Sequence, residues 1–177
     1  NDLATGGELT NGMAFTFNIW FWADGTLESS QINSQIFSMH TNNGGNRLRI
    51  GLNRTSGSGR IFYHDEDSGY RNMGNENWND QAWHHLAITR AAGSGDQLVT
   101  FYVDGQEIGS FSSLGPIFSE AVVASIGQEY DDANPTDHWS GNLDEMMFWN
   151  YAMTQEEIQS YMSTLPAGNE SGLVAYY

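Results

Sequence analysis

At 177 residues the chain suffices for one domain with a sizeable core and is too short for two. Its formal charge is −16 and its six cations are all arginine, so no basic patch serves nucleic acid or an anionic membrane, while cations are attracted. No apolar run reaches the roughly eighteen residues needed to span a bilayer, which excludes direct membrane insertion by a helix, and the lack of cysteine removes disulfides without fixing a compartment.

Nine Phe, eight Tyr and six Trp supply the bulk to fill a sandwich interior. The first predicted strand covers residues 15–22, where Phe15, Phe17, Ile19 and Phe21 alternate onto one face. Strands rich in branched and aromatic residues are expected at Ser34–His40, Arg47–Leu52, Arg60–His64, Trp83–Arg90 and Leu98–Val103. Asp104-Gly105 then signals a two-residue hairpin turn, which needs positive φ at both positions. Strands are also expected at Ala121–Gly127, Leu143–Trp149 and Leu173–Tyr177, with Gly, Asn and Ser clusters as turns between the elements.

A single helix is signalled late in the chain. Thr154 and Glu157 form a capping box, Met153 and Ile158 a hydrophobic staple, and Ile158, Tyr161, Met162 and Leu165 an apolar stripe that Pro166 stops. Strands throughout with one short helix describe an all-β fold, a two-sheet antiparallel jelly-roll sandwich with the helix docked on it. No internal repeat or linker interrupts it. Residues 1–177 are therefore expected to form a single domain, monomeric within a longer multidomain chain, since the sequence opens at Asn1 with no methionine or leader.

The order of three motifs resembles laminin-G-like and pentraxin-like domains: Trp83 to Arg90 followed by a turn and Val99 to Gly105, then Ile126 to Asp131, then Trp139 to Ile158. The resemblance covers roughly residues 15 to 165. It implies a calcium site in which Glu129, the Tyr130 carbonyl and Asp131 are ligands. An earlier loop would add Asn46, while Gly45 stands where the family has an acid. The family's two further ligands have no direct counterpart, and Asp132, Asn134 and Asp137 stand in their place. The residues make a parallel case, because calcium takes six to eight oxygens and positions 129–137 carry four carboxylates and an amide. Acids packed so closely repel one another without a cation. The plain alternative is a solvated acidic loop.

A second ion is a weaker expectation. Asp65 and Asp67, with Glu76 downstream, echo an EF-hand loop, but Tyr70 occupies the position that needs glycine, so no EF-hand forms. Asp144 beside Glu145 is a further candidate ligand, the two being expected on opposite faces of their strand.

By the same resemblance, an open calcium rim would bind an external ligand through the ion. Arg60 falls where the family has an acid, which favours a carboxylate-bearing ligand such as a peptide C-terminus or an acidic glycan. Tyr63, Tyr130, His138 and Trp139 are expected as walls. The expected function is calcium-dependent ligand binding and adhesion by an extracellular or cell-surface protein, which looks like a large bacterial calcium-dependent (RTX-type) adhesin, with its partner on another cell or protein. Two alternatives stand beside it. One is a calcium-stabilised spacer. The other is a polysaccharide-degrading jelly roll, for which Asp65 and Asp67 would lie about 7 Å apart on one strand face. No nucleophile or metalloprotease motif is present, so the chain is expected not to be an enzyme.

Overall fold

The alternation over residues 15–22 becomes a central strand of the larger sheet, with Phe15, Phe17, Ile19 and Phe21 fully buried. A computed structural model describes residues 12–25, 33–41, 46–53, 58–65, 68–115, 123–131 and 134–177, the side chains of 46, 47 and 131 excepted. In chain order the elements are β1 (Phe15–Ala23), β2 (Asn33–His40), β3 (Asn46–Asn53), β4 (Arg60–Asp65) and β5 (Gly69–Met73). They continue as β6 (Trp83–Arg90), β7 (Gln97–Val103), β8 (Gln106–Ser113), β9 (Val123–Ile126), β10 (Glu129–Asp131) and β11 (Asn134–Thr136). The last are β12 (Gly141–Trp149), helix α1 (Gln155–Tyr161) and β13 (Leu173–Tyr176).

The strands form a six-stranded sheet ordered β13-β12-β1-β6-β7-β8 and a five-stranded sheet ordered β5-β4-β3-β2-β9, with β10-β11 as a separate hairpin. Every pairing is antiparallel. The sandwich expected from the pattern is therefore present, and its core gathers one face of each sheet, from Phe17 and Phe148 to Ile50, Ile61 and Tyr63. Asp104 and Gly105 take φ of 51° and 71°, as the β7–β8 turn requires.

The helix keeps its capping box: Thr154 Oγ1 accepts from the Glu157 N–H, and the Glu157 carboxylate accepts from the Thr154 N–H. Ile158 is buried with Met153 against Ala87, Met147 and Trp149, a second small core on the outer face of the six-stranded sheet. The expected stripe runs too far, however. The N–H groups of Ser163 and Thr164 turn back onto the Ser160 carbonyl, and Leu165 is left 56% exposed. Strands β5 and β8 carried little pattern because both are half-exposed edge strands.

Arg90 ties one end of the sandwich together. It is 1% exposed and donates to the carbonyls of Met13, Ala91, Gly95, Ser113 and Leu114. Lysine cannot span that set of acceptors. Arg90→Lys is expected to lower the unfolding free energy in urea by about 2–3 kcal/mol; an unchanged midpoint would show that these ties do not hold the loops.

Candidate functional site

On the five-stranded sheet, Leu48, Ile50, Leu52, Ile61 and Tyr63 point into the core. Strand alternation therefore turns Arg49, Gly51 and Asn53 of β3, and Arg60, Phe62 and His64 of β4, to the outer face. Pairing adds Gln35 opposite Gly51, Ser38 opposite Arg49, and Tyr70 and Asn72 of β5 opposite His64 and Phe62. An outer sheet face this polar is ordinary where water reaches it. Here much of it is covered, for Asn33, Gln35, Ser38, His40 and Asn53 are all buried.

The cover comes in part from β10. The Ser38 hydroxyl donates to the Gln128 carbonyl at 2.9 Å, and the Tyr130 ring packs on His40 at 5.0 Å. Behind the hairpin, the Gln35 N–H donates to the Asp137 carbonyl at 2.9 Å, and the Ser34 hydroxyl to that of His138 at 3.1 Å. Glu129 reaches across to Arg49, whose Nη1 lies 3.2 Å from Oε1 and 2.9 Å from Oε2. Both side chains are largely buried, at 14% and 3% exposure, so the pair sits in a low-dielectric setting.

The floor beside this pair is aromatic and amide-rich. Tyr70 stacks on Phe62 at 5.0 Å and donates its hydroxyl to Asn33 Oδ1, while Asn53 Nδ2 donates to Asn72 Oδ1. Burial pushes the Tyr70 hydroxyl up to about 12, with Asp137 adding to the rise and Arg49 and Arg60 opposing it. Burial, then the Arg49 charge, lowers the His64 pKa against the pull of Asp65, so the ring is neutral near pH 7. Gly51 permits the close packing, since a Cβ there would meet Phe62 Cε1 at 2.8 Å and collide with the Ser34 carbonyl.

Among the described residues, four buried polar groups on this face find no hydrogen-bond partner. They are both amide atoms of Gln35, the Arg49 Nε, the His64 Nδ1 and the His40 Nε2. Gln35 is the most demanding, because its side chain is fully buried and neither its donor nor its acceptor is met.

The expected site residues divide clearly. Glu129, Tyr130, Asp137 and Arg60 converge on this face, with Asn134 and His138 exposed nearby. Tyr63 belongs to the core instead, against Phe101 and Phe111, because β4 alternation points it inward. Trp139 packs edge-on against core residue Phe21 at 5.9 Å and is not a free wall. Asp65 also points inward, accepting from the Ser68 N–H and hydroxyl and from the Ser113 hydroxyl of the other sheet. Asp144 is exposed, and a bulge at Glu145, with φ of 52°, brings both acids to one groove, so they do not face opposite ways. Asp67 and Asp132, and the side chains of Asn46 and Asp131, lie outside the described residues.

Of the calcium set implied by the resemblance, Glu129 is already engaged, and the side chains of Asn46, Asp131 and Asp132 lie outside the described residues. Arg49 already places a cation against both Glu129 oxygens, and a dication there would face its repulsion. Among the described residues no group of three or more acids and histidines is arranged to hold a metal. Sequence inspection missed Arg49, Gln35, His64, Phe62 and Tyr70, although the alternation of Arg49 with Leu48 and Ile50 already marked it as outward-facing.

The sequence matches the Concanavalin A-like lectin/glucanases superfamily over residues 2–159, so the chain belongs to that family. It is 30% identical over 94 residues to the Rattus norvegicus Sushi, von Willebrand factor type A, EGF and pentraxin domain-containing protein 1, a match covering 50% of this chain and 3% of that protein. A Bacteroides ovatus protein described as carbohydrate-binding superposes with a TM-score of 0.72 at 16% identity, over 95% of this chain and 46% of that one. A heptameric SAP-like pentraxin from Limulus polyphemus gives 0.66 at 19% identity, over 96% and 81%. The Ruminococcus gnavus IT-sialidase CBM40, bound to α2,3-sialyllactose, gives 0.68 at 10% identity, over 90% and 89%. These structures share the fold with this chain.

The partners of Asp65 generate a test. Asp65→Ala removes the carboxylate that accepts from the Ser68 amide and from the Ser68 and Ser113 hydroxyls, and is expected to cost about 1–3 kcal/mol of stability, equally in calcium and in EDTA. A loss seen only in calcium would return Asp65 to the ligands of an ion.

Proposed function

We propose that this member of the Concanavalin A-like lectin/glucanases superfamily is a non-catalytic extracellular binding module whose ligand is an acidic glycan held on the outer face of the five-stranded sheet. The observation that carries this reading is Arg60, a half-buried arginine on the outer face of β4, close enough to the 36% exposed Tyr70 ring to act on its hydroxyl. A sugar offers hydroxyls that both donate and accept, and the Tyr70 hydroxyl, which donates to Asn33, can accept from them. Half-buried Arg60 supplies the charge for a carboxylate, with a planar fork suited to two parallel hydrogen bonds. Phe62 and Tyr70 give the floor its stacked rings. The Ruminococcus module was solved with a sialylated sugar, a carboxylate-bearing glycan, and the Bacteroides protein is described as carbohydrate-binding, which supports this ligand class.

Hydrolysis is not part of the proposal. A glycosidase needs two carboxyl groups about 5–10 Å apart across one cleft. Of the acids whose side chains are described on this face, Glu129 is bound by Arg49, which leaves Asp137. Calcium is proposed in a reduced role, held by the Tyr130 carbonyl with Asp131, Asp132, Asn134 and Asp137, where it would screen the acids of the β10–β11 hairpin. The Arg49 guanidinium, and no ion, then stands beside the ligand. An extracellular location within an adhesive multidomain chain accords with the rat relative, whose name joins several domain types.

Binding of α2,3-sialyllactose and of lactose by calorimetry tests the ligand. The sialylated sugar alone should bind, and Arg60→Ala should weaken it about 10–100-fold, the worth of one charge-assisted hydrogen bond. Tyr70→Ala should weaken it as well. Equal affinity for the neutral sugar, or indifference to both substitutions, would sink the proposal; a carboxy-terminal peptide binding in place of the glycan would redirect it. Calcium at a hundredfold excess over its dissociation constant should raise the melting midpoint by about 5–10 °C, and EDTA should leave glycan affinity nearly unchanged. Loss of glycan binding in EDTA would restore the ion to the ligand contact.

A further inference from the structure

The six-stranded sheet bears a separate groove on its own outer face. Helix α1 covers the part around Ala87, Met147 and Trp149. Beyond the helix, the register across β6, β1 and β12 sets His85, Trp20 and Asp144 in one row, with Trp83, Trp22 and Asn142 in the next row on the same face. The bulge that pairs Trp20 with Asp144 turns Glu145 to this side as well. Trp20, Trp83, Asp144 and Glu145 together line an open groove of about 270 Å³.

The lining is fixed in place. The Tyr176 hydroxyl donates to Glu145 Oε2, and Asp144 Oδ1 accepts the Glu145 N–H at 3.0 Å. Trp20 packs edge-on against His85 at 5.3 Å, and the Trp22 indole N–H donates to the Gln81 carbonyl at 2.8 Å. Trp83 remains 46% exposed at the mouth. Burial pulls His85 down to about 4, with Asp104 opposing, so the ring beneath Trp20 carries no charge near pH 7.

Chemistry selects the occupant. Among the described residues, the lining consists of two indoles and two carboxylates and includes no cation. An anion would be repelled. A hydrated metal ion would gain little from the indoles, and a neutral sugar would find acceptors in excess of donors. An organic ammonium group satisfies both parts of the surface, since ring faces attract a cation and the carboxylates neutralise it. We propose that this groove binds an organic ammonium cation, with Trp20 and Trp83 against its alkyl groups and Asp144 and Glu145 supplying the counter-charge. This site lies on the opposite sheet from the acidic-glycan face and does not depend on it.

The test is an NMR titration of the isotope-labelled protein with tetramethylammonium chloride, exchanged against sodium chloride at fixed ionic strength. Its neutral counterpart is 2,2-dimethylpropan-1-ol. Saturable shifts of the Trp20 and Trp83 indole N–H signals are expected with the ammonium ion alone. Trp83→Ala and Asp144→Asn, both at exposed positions, should each weaken binding about tenfold, as loss of a cation–π contact or a charge implies. Equal saturation by the neutral alcohol would overturn the proposal in favour of a plain apolar groove. Absence of saturation would also overturn it, as would shifts of these indoles by neutral sugar but not by the ammonium ion.

Discussion

Arg49 and Glu129 face each other across two elements that share no other ion pair among the described residues, and neither charge would be tolerable alone at its depth. Removal of either partner strands the other, so the pair fixes β10 over β2 and β3 more firmly than the hairpin's own three-residue strands can. The geometry of the polar face follows from that constraint. With β10 in place, Ser38 reaches Gln128, His40 packs against the tilted Tyr130 ring, and Gln35 is sealed from water with its amide unmet among the described residues. A buried pair of this kind contributes little net stability against an apolar replacement. Its value here is positional, holding a guanidinium beside groups that lack partners.

The two outer faces of the sandwich differ in sign. Arginines Arg49 and Arg60 stand on the five-stranded sheet, whereas the groove on the six-stranded sheet is lined by Asp144 and Glu145 beside tryptophans. On a chain of net charge −16, most of the surface is acidic, so the arginine face is the exception and attracts anions only at short range. The helix contributes to the contrast by covering one part of the six-stranded sheet and leaving the tryptophan end open.

The fold was legible because alternation over β1, β6 and β7 is strong, and because the capping box at Thr154 depends only on local sequence. Strands β5, β8, β10 and β11 were not, being short or at sheet edges where half the residues face water. The acidic stretch at 129–137 was visible as a candidate site, but the cation that Glu129 meets lies eighty positions away and pairs only through the fold. Tyr63 shows the opposite failure. Its residue type suits a binding wall, and one step of strand register decides that it faces Phe101 and Phe111 instead. The bulge at Glu145 was equally hidden, because a positive φ at a glutamate leaves no mark in composition.

The central claim is that the guanidinium groups of Arg60 and Arg49 contact a ligand on the outer face of the five-stranded sheet. Side-chain NMR of the Arg60 and Arg49 guanidinium N–H groups during titration with α2,3-sialyllactose tests it directly. The account predicts saturable shifts and slower solvent exchange at both groups, with the Trp20 and Trp83 indoles unmoved. Shifts confined to other surfaces, or none while the sugar binds, would contradict it.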